Sequence, residues 1–209
     1  MKIRYNAPVT LTFFILCLTV LLLDLLTGTA FTANLFSIPG QAVFKFSDPL
    51  HYVRLFTHVV GHISFVHFIG NFSFILLLGP ILEEKYGSAS LLFMMLITAL
   101  VTGLLNVAFS RVGLLGASGI VFMMILLASF TNIRQGEIPL TFILIILMYL
   151  TGEIAKSFEK NSISEFAHIA GGVCGSLFGF IKPKRNSVRK KFVDPAGDSD
   201  DAKIIRKKV

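Results

Sequence analysis

The chain has no tryptophan, two cysteines and few charges: of its 209 residues, 15% are Asp, Glu, Lys or Arg. Each shortage excludes something. A soluble domain carries about a quarter charged residues. A chain this poor in charge, 54% hydrophobic and with a mean hydropathy of +0.77, is not built to be wetted on all sides. Cys17 and Cys174 both lie in apolar runs. They supply neither a disulfide framework nor a zinc ligand set, and read as small packing residues. Acidic residues number only twelve, and none stands beside His58, His62 and His67 to complete a metal site. No metal or other cofactor is expected.

Positive charge is present but localised. Residues 182–209 hold ten Lys/Arg against four Asp, which accounts for six of the seven net positive charges. A basic terminal tail beside lipid headgroups explains that balance, and no nucleic-acid groove is expected from it.

What the chain does have is apolar length. Runs of about 17 to 25 apolar residues read as membrane spans. Six occur, at roughly 8–26, 64–82, 89–109, 115–131, 138–152 and 164–181, the third interrupted by Asn106. The fold class expected is therefore all-α, a polytopic membrane protein with a six-transmembrane-helix bundle. Residues 1–7 form a short N-terminus, 8–181 the six-helix domain with a first outer loop at 27–63, and 182–209 the basic tail. The first run is longer than a signal-peptide core and carries Asp24 near its end, so it is expected to remain as a span. Lys2, Arg4, Lys85, Arg134 and the tail fall on one side of the membrane. The positive-inside rule puts that side, with both termini, in the cytoplasm. Residues 27–63, 110–114 and 153–163 then face outward.

Polar groups inside a bilayer are costly and call for a reason. The stretch THVVGHISFVHFIGN holds His58, His62, His67 and Asn71. His67 and Asn71 are four apart, so they share a helix face. Interhelical hydrogen bonding and a functional site are both open readings of that pair. In the sixth run His168 heads a line of small residues: Gly172, Gly175 and Gly179 follow on one face, and Gly171 with Gly175 forms a G-x-x-x-G pair. Such stripes let another helix approach closely. The fourth run opens with LLGASGIVF, where Gly116 and Gly119 clear side chains from around Ser118. Ser118 and His168 lie at similar depth near the outer ends of their runs. A serine hydroxyl needs a base such as histidine to become a nucleophile, and the tetrahedral intermediate needs donors for its oxyanion. The backbone N–H groups of Ser118 and Gly119, with the His67 and Asn71 side chains, are candidates. With no acid placed to orient His168, the constellation is a dyad rather than a triad.

These residues resemble the rhomboid intramembrane serine proteases, of the bacterial type. The family's G-x-S-G motif is matched by Gly116-Ala117-Ser118-Gly119, its A-H-x-x-G-x-x-x-G by residues 167–175 around His168, and its H-x-x-x-N by His67 to Asn71. His58 and His62 fall at family spacings, and Glu83 with Gly87 looks like the end of the family's second helix. The resemblance covers about residues 50–181. It implies Ser118 as nucleophile, His168 as general base, and His67 and Asn71 serving the oxyanion. Arg54, His62, Phe122, Gly116, Gly172 and Gly175 become accessory or structural positions. Two departures stand out. Where many members have Trp-Arg in the first outer loop, this chain has Val53-Arg54, leaving Arg54 as a loop anchor and Tyr52 or His51 to replace the aromatic. Where many have Tyr four residues after the serine, it has Phe122, which can stack on the His168 ring without hydrogen-bonding.

The expected function is a serine endopeptidase cleaving transmembrane segments of membrane proteins, in a bacterial inner membrane, with an active site opening outward and residues 151–162 as a movable lid. Its partners are transmembrane substrates and membrane lipid. Nothing in the chain selects an oligomeric state. The alternative is a catalytically inactive rhomboid-like protein that binds membrane clients; such proteins typically lack the serine or the histidine, and both are present here. A small transporter would show internal symmetry, and no repeat is visible.

Overall fold

A computed structural model describes residues 4–28, 30–130 and 165–180, with isolated positions between 140 and 147. The fifth span, the 151–162 loop and the basic tail lie outside the described residues. Among the described residues the chain is all-helical: α1 (Pro8–Thr27), α2 (Phe31–Phe36), α3 (Pro49–Thr57), α4 (Phe65–Tyr86), α5 (Ser88–Phe109), α6 (Ser118–Phe130) and α7 (Glu165–Phe178). Helices α1, α4 and α5 are long and apolar enough to cross a membrane, whereas α6 and α7 are shorter apolar helices.

The helix ends follow from local chemistry. Pro8 opens α1, where its missing N–H costs nothing. Ala7 has no side chain to cap the helix, and Glu83 of α4 does that work instead. Its carboxylate accepts from Val9 N (2.9 Å), Thr10 N (3.0 Å) and Thr10 Oγ1 (2.9 Å). Sequence reading ended the second span at residue 82. The helix runs on to Tyr86 through Pro80, because Leu82, Glu83 and Tyr86 are buried against neighbours. Gly87, at φ +85°, then turns the chain into α5.

Asn106 was read as an interruption of the third span, and it is not one. Helix α5 is continuous to Phe109, and Asn106 donates through Nδ2 to Val112 O at 3.1 Å, tying down the loop that follows.

The helix of the fourth run also starts later than its apolar run. Helix α6 starts at Ser118, since Gly116 adopts φ +123°, outside the helical region. Residues before it run as loop, and Ile38 and Leu114 exchange hydrogen bonds as an isolated antiparallel bridge (3.1 and 2.9 Å).

Helix α6 is the centre of the bundle, packed against α4, α5 and α7. Ile120, Met123, Met124 and Leu127 are fully buried on it, and Phe13, Phe68, Phe72, Ile75 and Met94 complete the core. Phe68 and Phe72 stack with ring centroids 4.5 Å apart. The outer faces of α1, α4 and α5 expose Leu26, Val66, Leu77 and Phe93, as helices bathed in lipid do.

Helices α6 and α7 touch through their backbones. A Cβ on Gly171 would fall 2.1 Å from Gly119 O, and one on Gly175 would fall 2.2 Å from Met123 O. At Gly172 a Cβ would meet only Leu126 Cδ1, at an ordinary 3.5 Å. The close approach thus runs through Gly171 and Gly175, with Gly172 beside it, because only the first pair sits over a facing carbonyl. G171A and G175A are each expected to lower stability by about 1–3 kcal/mol or more, since backbone cannot yield as a side chain can. G172A should stay within about 0.5 kcal/mol of wild type. Thermal unfolding of the purified protein in detergent checks the contrast, and equal behaviour of the three variants would refute it.

Candidate active site

The segment leading to Ser118 is fixed at several points. Besides the Ile38–Leu114 bridge, Gln41 N donates to Ser110 O (2.8 Å) and Gly116 N donates to the His58 carbonyl (2.9 Å). Gly116 is required twice over. Its φ of +123° favours glycine, and a Cβ there would lie 2.5 Å from His67 Cε1. Ser118 then begins α6, where the first backbone N–H groups have no acceptor within the helix and carry its positive end.

His168 reaches the same place from α7. The carbonyl of Ala167, just before it, lies 3.3 Å from where a Gly119 Cβ would be, which brings the first turns of α6 and α7 together. The Phe122 ring packs on the His168 ring at 4.8 Å between centroids, tilted by 42°. Ser118, His168, His67 and Asn71 all line one cavity of about 700 Å³, with Gly70 and Phe122 among its other walls. The serine, both histidines and the amide that sequence reading singled out therefore share one chamber.

Behind the chamber lies a second polar layer. His62 is fully buried, with Nδ1 3.2 Å from Val60 O and Nε2 3.1 Å from Asn71 Nδ2. Its ring lies 5.1 Å from that of His67. His58 is also buried, with Nδ1 3.1 Å from Arg54 O and Nε2 3.3 Å from Thr102 Oγ1. The methyl of Thr102 in turn lies 3.0 Å from where a Gly119 Cβ would stand.

A family model of the Rhomboid domain matches residues 49–185, which takes in α3 to α7 and all four chamber residues. This chain belongs to the rhomboid family. It is similar to the Rhomboid protease GlpG of Yersinia pestis (strain Pestoides F) and of Yersinia pseudotuberculosis serotype O:3 (strain YPIII), 28% identical to each over 188 residues. The alignments cover 87% of this chain and 65% of each relative, so it spans just under two thirds of the length of these curated relatives. As a rhomboid, it is an integral membrane protein built as a polytopic helical bundle.

One accessory residue of this rhomboid, Gly116, acts differently from expectation. Gly116 was expected to admit the sixth span beside Ser118; it makes room for His67 instead, while Gly119 meets α7. Arg54 lines no part of the cavity: Nε donates to Leu35 O at 3.2 Å and Nη2 donates to Asn34 O, anchoring the end of α2. Phe122 stacks on His168 as expected, and Tyr52 joins His51, Phe44 and Phe46 in an aromatic cluster between α2 and the end of α3. Sequence reading gave no role to Thr98, Thr102 and Asn106. They recur every four residues along α5 and are all buried. That polar period inside an apolar run was the available signal.

His58 and His62 lie in the loop between α3 and α4, outside the spanning helices. Burial pushes each down to about 4 from the ordinary 6.5, with the neighbouring His67 adding to the effect at His62. Between those values the unfolded chain binds protons that the folded chain refuses, so stability rises with pH there. The stabilisation is complete above about pH 6.5 and is lost as pH falls toward 4, by up to about 1.4 kcal/mol per pH unit for each histidine. Thermal unfolding in detergent should accordingly be flat above neutrality and fall steeply below about pH 6.5. A profile that stays flat down to about pH 4.5 would contradict burial of neutral rings.

Proposed function

We propose that this rhomboid is an intramembrane serine endopeptidase, with Ser118 as nucleophile and His168 as general base, acting on transmembrane segments of other membrane proteins. One observation carries the reading: Ser118, His168, His67 and Asn71 open onto a single cavity recessed among apolar helices. The likeness to proteins named Rhomboid protease GlpG supports it.

The chemistry balances with these groups alone. His168 takes the proton of the Ser118 hydroxyl as its oxygen attacks the scissile carbonyl carbon. Negative charge on the carbonyl oxygen is met by donors of the Asn71 amide, the His67 ring and the free N–H groups of Ser118 and Gly119 at the start of α6. The C–N bond breaks, and His168 hands its proton to the leaving amine. Water then enters, loses a proton to His168 and attacks the ester carbon. Ser118 leaves and recovers that proton. A polypeptide must be locally extended for its carbonyl to reach Ser118, so helix-weak transmembrane segments are the substrates. Phe122 holds the His168 ring by packing alone, having no hydroxyl to bond it. Placed by its loop charges, the chain has both termini in the cytoplasm of a bacterial inner membrane, with the cavity opening outward.

In vesicles holding the purified protein and a single-span reporter, S118A and H168A should each lower cleavage at least about 10³-fold, and the double variant little further, since the two act as one unit. N71A should lower kcat by about 10²–10³-fold. Labelling of the protein by a fluorophosphonate should vanish in S118A. Wild-type cleavage by S118A would overturn the assignment, and a client bound but never cut by wild type would assign a non-catalytic rhomboid instead.

A further inference from the structure

We infer that His62 is a positioning residue for Asn71, fixing the face that its side-chain amide turns toward the cavity. The inference rests on the proposed reading of Ser118 and adds a residue that touches neither substrate nor nucleophile.

The argument begins at a group whose polarity admits no choice. Val60 O is a carbonyl and can only accept, so the His62 Nδ1 that lies 3.2 Å from it carries the hydrogen. A neutral imidazole with its hydrogen on Nδ1 has a lone pair on Nε2, and Asn71 Nδ2 stands 3.1 Å from that lone pair. The amide nitrogen can satisfy it, whereas the amide oxygen would set acceptor against acceptor. Asn71 is thereby held with nitrogen toward His62. One N–H is spent on the ring and its second N–H remains for the cavity that Asn71 lines.

The surroundings leave His62 no other state. It is fully buried, with Phe68 and Phe72 rings at 5.4 and 5.7 Å and the His67 ring at 5.1 Å. Among the described residues no carboxylate lies against it, and the neighbouring imidazole of His67 opposes its protonation. The carbonyl at the head of the relay is itself placed by a turn in which Val60 N donates to Thr57 O at 2.9 Å. Gly61, next along, is packed so closely that a Cβ would meet Leu115 Cδ1 at 2.5 Å. A rigid loop thus orients an amide nine residues later, on α4.

The test is a double-mutant cycle on the full-length protein in vesicles. H62F keeps a flat ring and removes the acceptor; it should lower kcat about tenfold to a hundredfold while leaving KM nearly unchanged. In the N71A background the same change should cost almost nothing more, because His62 acts only through Asn71. H62Q, which restores an acceptor, should regain part of kcat. Multiplying losses, or a loss in KM alone, would overturn the positioning role. Wild type without Ser118-dependent cleavage would overturn the proposed function and the role with it, whereas intact Ser118-dependent cleavage with multiplying losses overturns the role alone. If H62F does not fold, nitrogen-15 NMR of labelled histidines decides, with the His62 signal assigned by its loss in H62Q. A hydrogen on Nδ1 at neutral pH is expected; one on Nε2, or a doubly protonated ring, would refute the pairing.

Discussion

The structure depends on one constraint: helices α6 and α7 meet backbone to backbone. Gly171 lies over the Gly119 carbonyl and Gly175 over that of Met123, at distances where no side chain fits. Lipid tails are as apolar as leucine, so no hydrophobic gain draws these helices together. Close packing does, and it requires glycine on the α7 side, over the carbonyls of Gly119 and Met123. The same seam sets the register that delivers His168 to the first turn of α6. Moving α7 outward by the width of a methyl group would separate the imidazole from the chamber that Ser118 lines.

Around this seam polar groups are arranged in layers. Nearest the cavity stand Ser118, His168, His67 and Asn71. Behind them His62 and His58 are buried as neutral rings, each bonded to a backbone carbonyl on one side and to a helix side chain on the other. The His58 carbonyl also receives Gly116 N–H. The loop 58–62 is therefore bonded at once to α4, to α5 and to the turn before α6. Neutral rings suit this position, because a charge sealed among Phe68 and Phe72 would have to be stabilised by a counter-ion that none of the described residues supplies.

Much of this was legible from residue types. Apolar runs gave the spans, the spacing of His67 and Asn71 gave a shared face, and the small residues below His168 marked a helix contact. Other parts were not legible, for reasons that can be named. Apolar composition cannot tell a helix from the loop leading into it, so α6 was read three residues too early. Gly116 at φ +123° ends the ambiguity only in three dimensions. Glu83 looked like a helix-end residue of α4, and its service to the N-terminus of α1 joins positions more than seventy residues apart. Asn106 looked like an interruption because its partner, Val112 O, lies in a loop without a distinctive sequence.

The sequence by itself determined the solvent of this protein, its helical class and the identity of its chemical groups. Those follow from composition and short-range periodicity, which are local properties of the chain. Tertiary structure decided which glycine faces which carbonyl, that His67 rather than α7 occupies the space beside Gly116, and that His62 Nε2 stands 3.1 Å from Asn71 Nδ2. These are matters of ångström distances between residues on different elements. A hydrogen bond or a van der Waals contact is made or lost within less than one ångström, and no pattern of residue types along a chain records distance to that scale.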